Sequence, residues 1–269
     1  MSPLASAPVS ALDEQSRDFY RHALSLLDEA KLQYLVGGAY AFARYTRIER
    51  HTKDFDIFIR HSDFTRATKI LENAGYETDL TFSHWLGKAF KGEDFIDLIF
   101  SAGNGVAKVD ELWFANAVDA RVLDMNVKLI PAEEMIWSKG LIMERERYDG
   151  NDVAHVIRAV GADLDWRRLI NRFGELWRAL YVHIILFGFI YPSHRSAIPK
   201  WVMEEFAQRL AAEGDTREKI CYGTILSRQQ YLVDIDRWGY KDARLKPLGN
   251  MTPEEIAHWT AGIDLDGAK

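Results

Sequence analysis

The spacing of the apolar residues changes character near residue 130, and that change limits what the chain can build. Before it, short β-rich runs alternate with helix-compatible segments; after it, apolar residues recur at helical spacing. In the first part, Phe19, Leu24, Leu26 and Leu27 predict a helix over 12–30, followed by a short strand at Gln33–Val36 that runs into Gly37-Gly38. A helix-compatible stretch covers 39–45, and Phe55 to Ile59 reads as a strand. Phe64, Ala67, Ile70 and Leu71 predict a helix that stops at Gly75. Trp85–Phe90 and Phe95–Phe100 read as two strands of a hairpin that turns through Lys91–Asp94.

In the second part Pro131 stands where a helix would open, and Val153, Val156, Ile157 and Val160 share one helical face. The same holds for Leu169, Ile170, Phe173, Leu176, Trp177 and Leu180. Further helices are expected over 201–212 and, as one piece, over 225–238. Thr252-Pro-Glu-Glu255 is a capping box with proline at the first helical position. The expected class is therefore α+β: a mixed sheet flanked by helices, then an all-helical C-terminal domain.

Aspartate pairs spaced Asp-x-Asp occur four times, at 54/56, 163/165, 234/236 and 264/266. Asp163 and Asp165 precede a helix and read as caps. Asp234 and Asp236 fall in a helical stretch, where i and i+2 face apart. Asp264 and Asp266 lie in a polar tail. Asp54 and Asp56 alone fall at a strand, where i and i+2 share a face about 6.6 Å apart along the chain. Two carboxylates so placed can converge on one divalent ion or a close pair of ions; the plainer reading is the solvated face of an edge strand. A lone acid, Asp97, interrupts the apolar strand 95–100. A buried, unpaired carboxylate there would be costly, so Asp97 should have a cationic partner or a metal. Gly37-Gly38, between strand and helix, is either an ordinary turn or a place where backbone amides approach phosphate oxygens. Arg44, Arg47, Arg50 and Lys53 form the densest basic stretch of the first half.

In this order, Val36-Gly37-Gly38, Asp54-Phe-Asp56-Ile57 and Asp97 resemble the nucleotidyltransferase superfamily with a polymerase-beta-like catalytic core. Arg50-His-Thr52-Lys-Asp54-Phe-Asp56 is similar to the signature of abortive-infection type IV toxin (AbiEii-like) proteins, and Lys139 with Arg147-Tyr-Asp149-Gly-Asn-Asp152 is similar to their later lysine and Asp-x-x-Asp. The resemblance covers 34 to about 160. It implies a catalytic core over 1–130 and a helical substrate or lid domain over 131–269. It implies transfer of a nucleoside monophosphate from a nucleoside triphosphate to a hydroxyl, with pyrophosphate released. Asp54, Asp56 and Asp97 would be catalytic and would hold two Mg2+ ions, or Mn2+ in their place. Gly37, Gly38, Arg50, Thr52, Lys139 and Asp152 would bind nucleotide. The acceptor would be an RNA or tRNA end, a protein hydroxyl or a small molecule, and a toxin role would bring an antitoxin partner. Read from the residues alone, Asp149 serves as a helix cap and Asp152 as an acid in a first helical turn. A non-catalytic nucleotide-binding or toxin–antitoxin interaction protein on the same fold stays open, as does a metal-dependent phosphohydrolase.

Composition narrows the classes. The net charge of −6 and a mixed distribution exclude a bulk basic nucleic-acid-binding module. The single Cys221 excludes an internal disulfide or a multi-cysteine zinc site, and the histidines show no paired-ligand spacing. The N-terminal residues lack the pattern of a signal peptide. The most apolar run, from Ala179 to Pro192, is shorter than the ~20 residues a membrane span requires. No membrane partner and a cytoplasmic location are the expectation.

Overall fold

A computed structural model describes residues 13–50 and 54–262. The chain divides into two compact units, one made of residues up to 103 plus 108–131, the other of 104–107 plus 132 onward.

The first unit is built on a seven-stranded mixed sheet. Helix α1 (Glu14–Glu29) starts at Asp13, whose carboxylate accepts from the Ser16 backbone N–H at 2.8 Å. It buries Phe19, Tyr20, Ala23, Leu24 and Leu27. Strand β1 (Leu35–Val36) leads through Gly37 into α2 (Gly38–Thr46), followed by β2 (Phe55–Phe58). Helix α3 (Phe64–Asn73) ends at Gly75, whose φ of +84° favours glycine. Then come β3 (Glu77–Phe82), β4 (Leu86–Lys91) and β5 (Asp94–Ile99), with Gly92 at φ +68° in the turn of the last hairpin. Helix α4 (Glu111–Ala115) and strands β6 (Val118–Val122) and β7 (Met125–Leu129) complete the unit. The strand order is β3-β4-β5-β2-β1-β7-β6, with β2/β5 and β1/β7 parallel and the other pairs antiparallel. Helix α4 and strands β6 and β7 stand outside the elements expected above, although Val-Asp-Ala-Arg-Val and Met-Asn-Val-Lys-Leu both alternate apolar and polar residues at the period of a strand.

The second unit holds α5 (Ala132–Lys139), α6 (Gly150–Val160), α7 (Trp166–Phe173), α8 (Trp177–Ile190) and α9 (Lys200–Ala212). Short pieces follow: β8 (Ile220–Cys221), α10 (Gly223–Leu226), α11 (Leu232–Asp236) and β9 (Lys241–Asp242). Helix α12 (Pro253–Ala261) starts at the expected capping box, with both of its hydrogen bonds made. Three expectations are corrected here. The apolar run from Leu169 to Leu180 is two helices, broken at Gly174 (φ +49°). The stretch 225–238 is not one helix, because its hydrogen bonds go elsewhere. The Leu226 carbonyl accepts from Met143 N–H at 3.0 Å, while the Gln230 N–H donates to the Ser227 hydroxyl at 3.3 Å. The unit is also not purely helical, since β8 and β9 pair in parallel.

One helical stretch among the described residues, Trp166–Ile190, is long and apolar enough to cross a membrane by length and composition. It is interrupted at Gly174. It turns Leu180, Ile184 and Phe187 into the core of its unit and leaves Val182, Ile185 and Phe189 exposed.

Candidate active site

Phe55 fixes the position of the acid pair. It is fully buried, with the Tyr20 ring of α1 stacked on it at 4.8 Å and the Tyr40 ring of α2 at 4.8 Å. Burying a phenylalanine contributes about 2–3 kcal/mol. Strand alternation then turns Asp56 to the opposite face of the sheet, where it is half-buried. Asp54 lies one residue before β2. The Tyr20 phenol is held well above its ordinary pKa, first by burial, then by Tyr40 and by the carboxylates of Asp94 and Asp54.

Asp97 stands directly opposite Asp56 in the parallel β2/β5 pair. Paired residues on neighbouring strands share a face at the 4.7–4.9 Å strand spacing. On its other side Asp97 is opposite Lys88 of β4, whose Nζ donates to Asp97 Oδ1 at 2.5 Å. The same ammonium lies 4.1 Å from the centre of the Phe95 ring. Asp97 thus has the cationic partner that a half-buried strand carboxylate requires. Lys88 is the residue that sequence reasoning missed. The signal was present: with Gly92-Glu93 as the turn, counting back along the hairpin puts position 88 opposite position 97.

Gly37 and Gly38 lie against the same strand. The Gly37 N–H donates to the Asp56 carbonyl at 3.0 Å, and Gly38 has φ +53° at the start of α2. A Cβ on Gly38 would overlap the Asp56 carboxylate and lie 2.8 Å from its Cγ; one on Gly37 would overlap the Phe58 ring. Only glycine admits this close approach of helix start to acid. The turn therefore faces Asp56. The Arg50 guanidinium sits over the Phe42 ring of α2 at 4.2 Å. Thr52 lies outside the described residues.

Lys139 and Asp152 belong to the second unit. Lys139 Nζ is 2.8 Å from both Asp149 Oδ2 and Asp152 Oδ2, and Arg147 reaches Asp149 with two nitrogens at 3.0 and 2.8 Å. Both acids are buried. Burial alone would raise the Asp149 pKa, but Arg147 and Lys139 reverse that and hold it at about 2. Asp149 occupies the N-cap position of α6 without making a capping bond, because its oxygens serve the two cations.

The donors on the first unit are hard carboxylate oxygens, the chemistry that suits Mg2+ or Mn2+. Among the described residues, no three Asp, Glu, His or Cys groups converge closely enough to hold a metal as they stand. Asp56 and Asp97 share a row, Asp54 is the next acid along the chain, and Asp97 is engaged by Lys88. By donor chemistry the three carboxylates fit a hard divalent ion such as Mg2+ or Mn2+.

Residues 20–187 match the family described as "Uncharacterised nucleotidyltransferase", over more than half of the chain. No curated protein matches the sequence. Similar solved structures include ANT(2")-Ia in complex with adenylyl-2"-tobramycin, 16% identical, covering 62% of this chain and 99% of that one with a TM-score of 0.45. An antigenic nucleotidyltransferase-like protein from Paracoccidioides brasiliensis is 17% identical, with coverages of 70% and 95% and a TM-score of 0.45. The lincomycin-bound lincosamide antibiotic adenylyltransferase LnuA is 16% identical, with coverages of 54% and 96% and a TM-score of 0.37.

Proposed function

This chain belongs to the uncharacterised nucleotidyltransferase family, and on that premise we propose that it transfers a nucleoside monophosphate from a nucleoside triphosphate to a hydroxyl acceptor, with release of pyrophosphate. The observation that carries the reading is the row formed by Asp56 and Asp97 on adjacent parallel strands beside the Gly37-Gly38 turn.

Asp54, Asp56 and Asp97 would hold Mg2+ or Mn2+, two ions in the full site. Divalent ions there supply charge neutralisation on the phosphates and a lowered pKa for the attacking hydroxyl. The chain's own residues do the rest. Gly37 and Gly38 let phosphate oxygens come close to the first amides of α2, where the helix dipole favours negative charge. Arg50 neutralises phosphate charge, with Thr52 beside it in the signature. Asp97 takes the proton from the acceptor hydroxyl. Lys139 and Asp152 stay outside this set in our reading, because the Lys139 ammonium is already balanced by two buried carboxylates. The acceptor is an RNA or tRNA end, a protein hydroxyl or a small molecule. The Arg50-His-Thr52-Lys-Asp54-Phe-Asp56 signature sets the chain beside the AbiEii-like toxins in this proposal, with an antitoxin as the corresponding partner.

Transfer of label from α-labelled triphosphates in Mg2+, to RNA, protein and small-molecule acceptors in turn, tests the reaction. Label transfer by the wild type and none by Asp54→Asn/Asp56→Asn supports it. One observation favours a second reading, a nucleotide-binding protein without turnover: Asp97 is ion-paired with Lys88. Tight triphosphate binding with no label transferred would establish that reading instead.

A further inference from the structure

Four charged or acidic positions form one continuous row across the sheet. Asp79 of β3 is opposite Lys88 of β4, Lys88 is opposite Asp97 of β5, and Asp97 is opposite Asp56 of β2. Lys88 is therefore flanked by two aspartates, and its ammonium is on the inner one. Asp97 is 13% exposed at its side chain and Lys88 23%, so the pair is shielded from most of the solvent. Asp79 is exposed, and its Oδ2 accepts from the Thr81 hydroxyl at 2.8 Å. The Phe95 ring keeps the ammonium on this face of the sheet.

Resting on the reading above, we propose that Lys88 is a displaceable internal counter-ion. Its ammonium balances Asp97 while the acidic row holds no divalent ion, and it moves along the row to Asp79 when one binds. Three acids close together repel one another unless a positive charge stands among them. Lys88 supplies that charge within the fold. This accounts for the absence, among the described residues, of a ready-made three-acid cluster at a place where register aligns the acids. A lysine suits the task because its single charge sits on a flexible four-carbon stem, long enough to reach either neighbouring strand. Lys88 is thus a positioning residue: it acts through Asp97 and sets how readily the row accepts a divalent cation.

The test is Mn2+ binding without nucleotide, followed by electron paramagnetic resonance of free Mn2+, for wild type, Lys88→Met, Lys88→Arg and Asp54→Asn/Asp56→Asn. Unfolding temperatures in EDTA and in Mn2+ are measured beside it. Removing a unit charge a few ångströms from the bound ion in a half-buried site predicts Mn2+ binding about tenfold tighter in Lys88→Met. Lys88→Arg retains the charge and returns the affinity to that of the wild type. In EDTA, Lys88→Met unfolds at a lower temperature, and Mn2+ raises that temperature more than it does for the wild type. If Lys88→Met does not fold, Lys88→Gln, which keeps a donor but no charge, gives the same comparison. Unchanged or weaker Mn2+ binding in the uncharged variants, with binding abolished in Asp54→Asn/Asp56→Asn, overturns the role of Lys88 and leaves the acidic site standing. Mn2+ binding no better in the wild type than in Asp54→Asn/Asp56→Asn overturns both.

Discussion

Asp56 and Asp97, 41 positions apart in sequence, are directly opposed on two parallel neighbouring strands, with their side chains on one face of the sheet. The opposite face of β2 carries Phe55 into the core against Tyr20 and Tyr40. Phe58, on the face of Asp56, is also buried and stacks on Trp113 at 5.3 Å, so packing holds both faces of β2 and Asp56 is the polar position among them. Which residues share the face of Asp56 follows from strand alternation.

The Gly38 backbone tests how closely the turn approaches Asp56. Its φ of +53° and the contact with Asp56 leave no room for a side chain. Gly38→Ala is expected to cost about 2 kcal/mol in urea denaturation, the scale of a strained left-handed residue plus a displaced neighbour. It should also lower nucleotidyl transfer at least tenfold by pushing the Asp56 carboxylate aside. Unchanged stability and activity would mean that the turn does not approach Asp56.

In the second unit, Glu134 is fully buried. Arg168 Nη1 reaches both of its oxygens at 2.6 and 2.5 Å, and Arg172 Nε reaches Oε1 at 3.0 Å. Removing one partner of such a network leaves two cations under-balanced away from water. Glu134→Ala should therefore destabilise by about 3–5 kcal/mol, measured as a shift in urea midpoint. Lys200→Ala, which breaks an exposed pair with Glu204, should change stability by less than about 0.5 kcal/mol.

Acid should loosen the same unit through Asp149. Its pKa is about 2 in the folded protein and near the ordinary carboxylate value when unfolded. The depressed value means that the unfolded chain binds the proton more readily. The stabilisation, about 2 kcal/mol, is complete above pH 4 and lost as the pH falls through 2. The stability gap between wild type and Asp149→Asn should narrow over that window. A gap independent of pH would show that the ion pairs with Lys139 and Arg147 do not form.

His183 gives a second pH dependence at milder acidity. Burial lowers its pKa, partly offset by its hydrogen bond to the Gly140 carbonyl at 2.8 Å. Protonation then favours the unfolded chain, so this contribution to stability declines as the pH falls below the ordinary imidazole value. His183→Gln should remove that slope in denaturation curves between pH 7 and 5.

Much of the first unit was legible because its acids and glycines sit where local rules are strong. The alternation around Phe55, the stop at Gly75 and the turn at Gly92 each follow from neighbouring residues. The role of Lys88 comes from a cross-strand partner, Asp97, and not from a neighbour in sequence. Strands β6 and β7 carry the apolar–polar alternation of a strand over five residues each, a legible signal that the elements expected above do not include. The helix expected over 225–238 failed for a non-local reason: Met143, far away in sequence, takes the Leu226 carbonyl that a continuous helix would need. Asp149 stands at the N-cap position of α6, yet its oxygens answer to Lys139 and Arg147. Hydrogen-bond competition of this kind leaves no mark in composition or periodicity.

The central claim is that Asp54, Asp56 and Asp97 form one divalent-ion site against the Gly37-Gly38 turn. The most direct measurement is a crystal structure grown with Mn2+ and a non-hydrolysable nucleoside triphosphate, with data collected at the manganese absorption edge. The account predicts anomalous peaks within about 2.0–2.4 Å of carboxylate oxygens of Asp54, Asp56 and Asp97, with the triphosphate against the first turn of α2. Manganese and nucleotide bound elsewhere, with Asp97 still paired to Lys88, would contradict it.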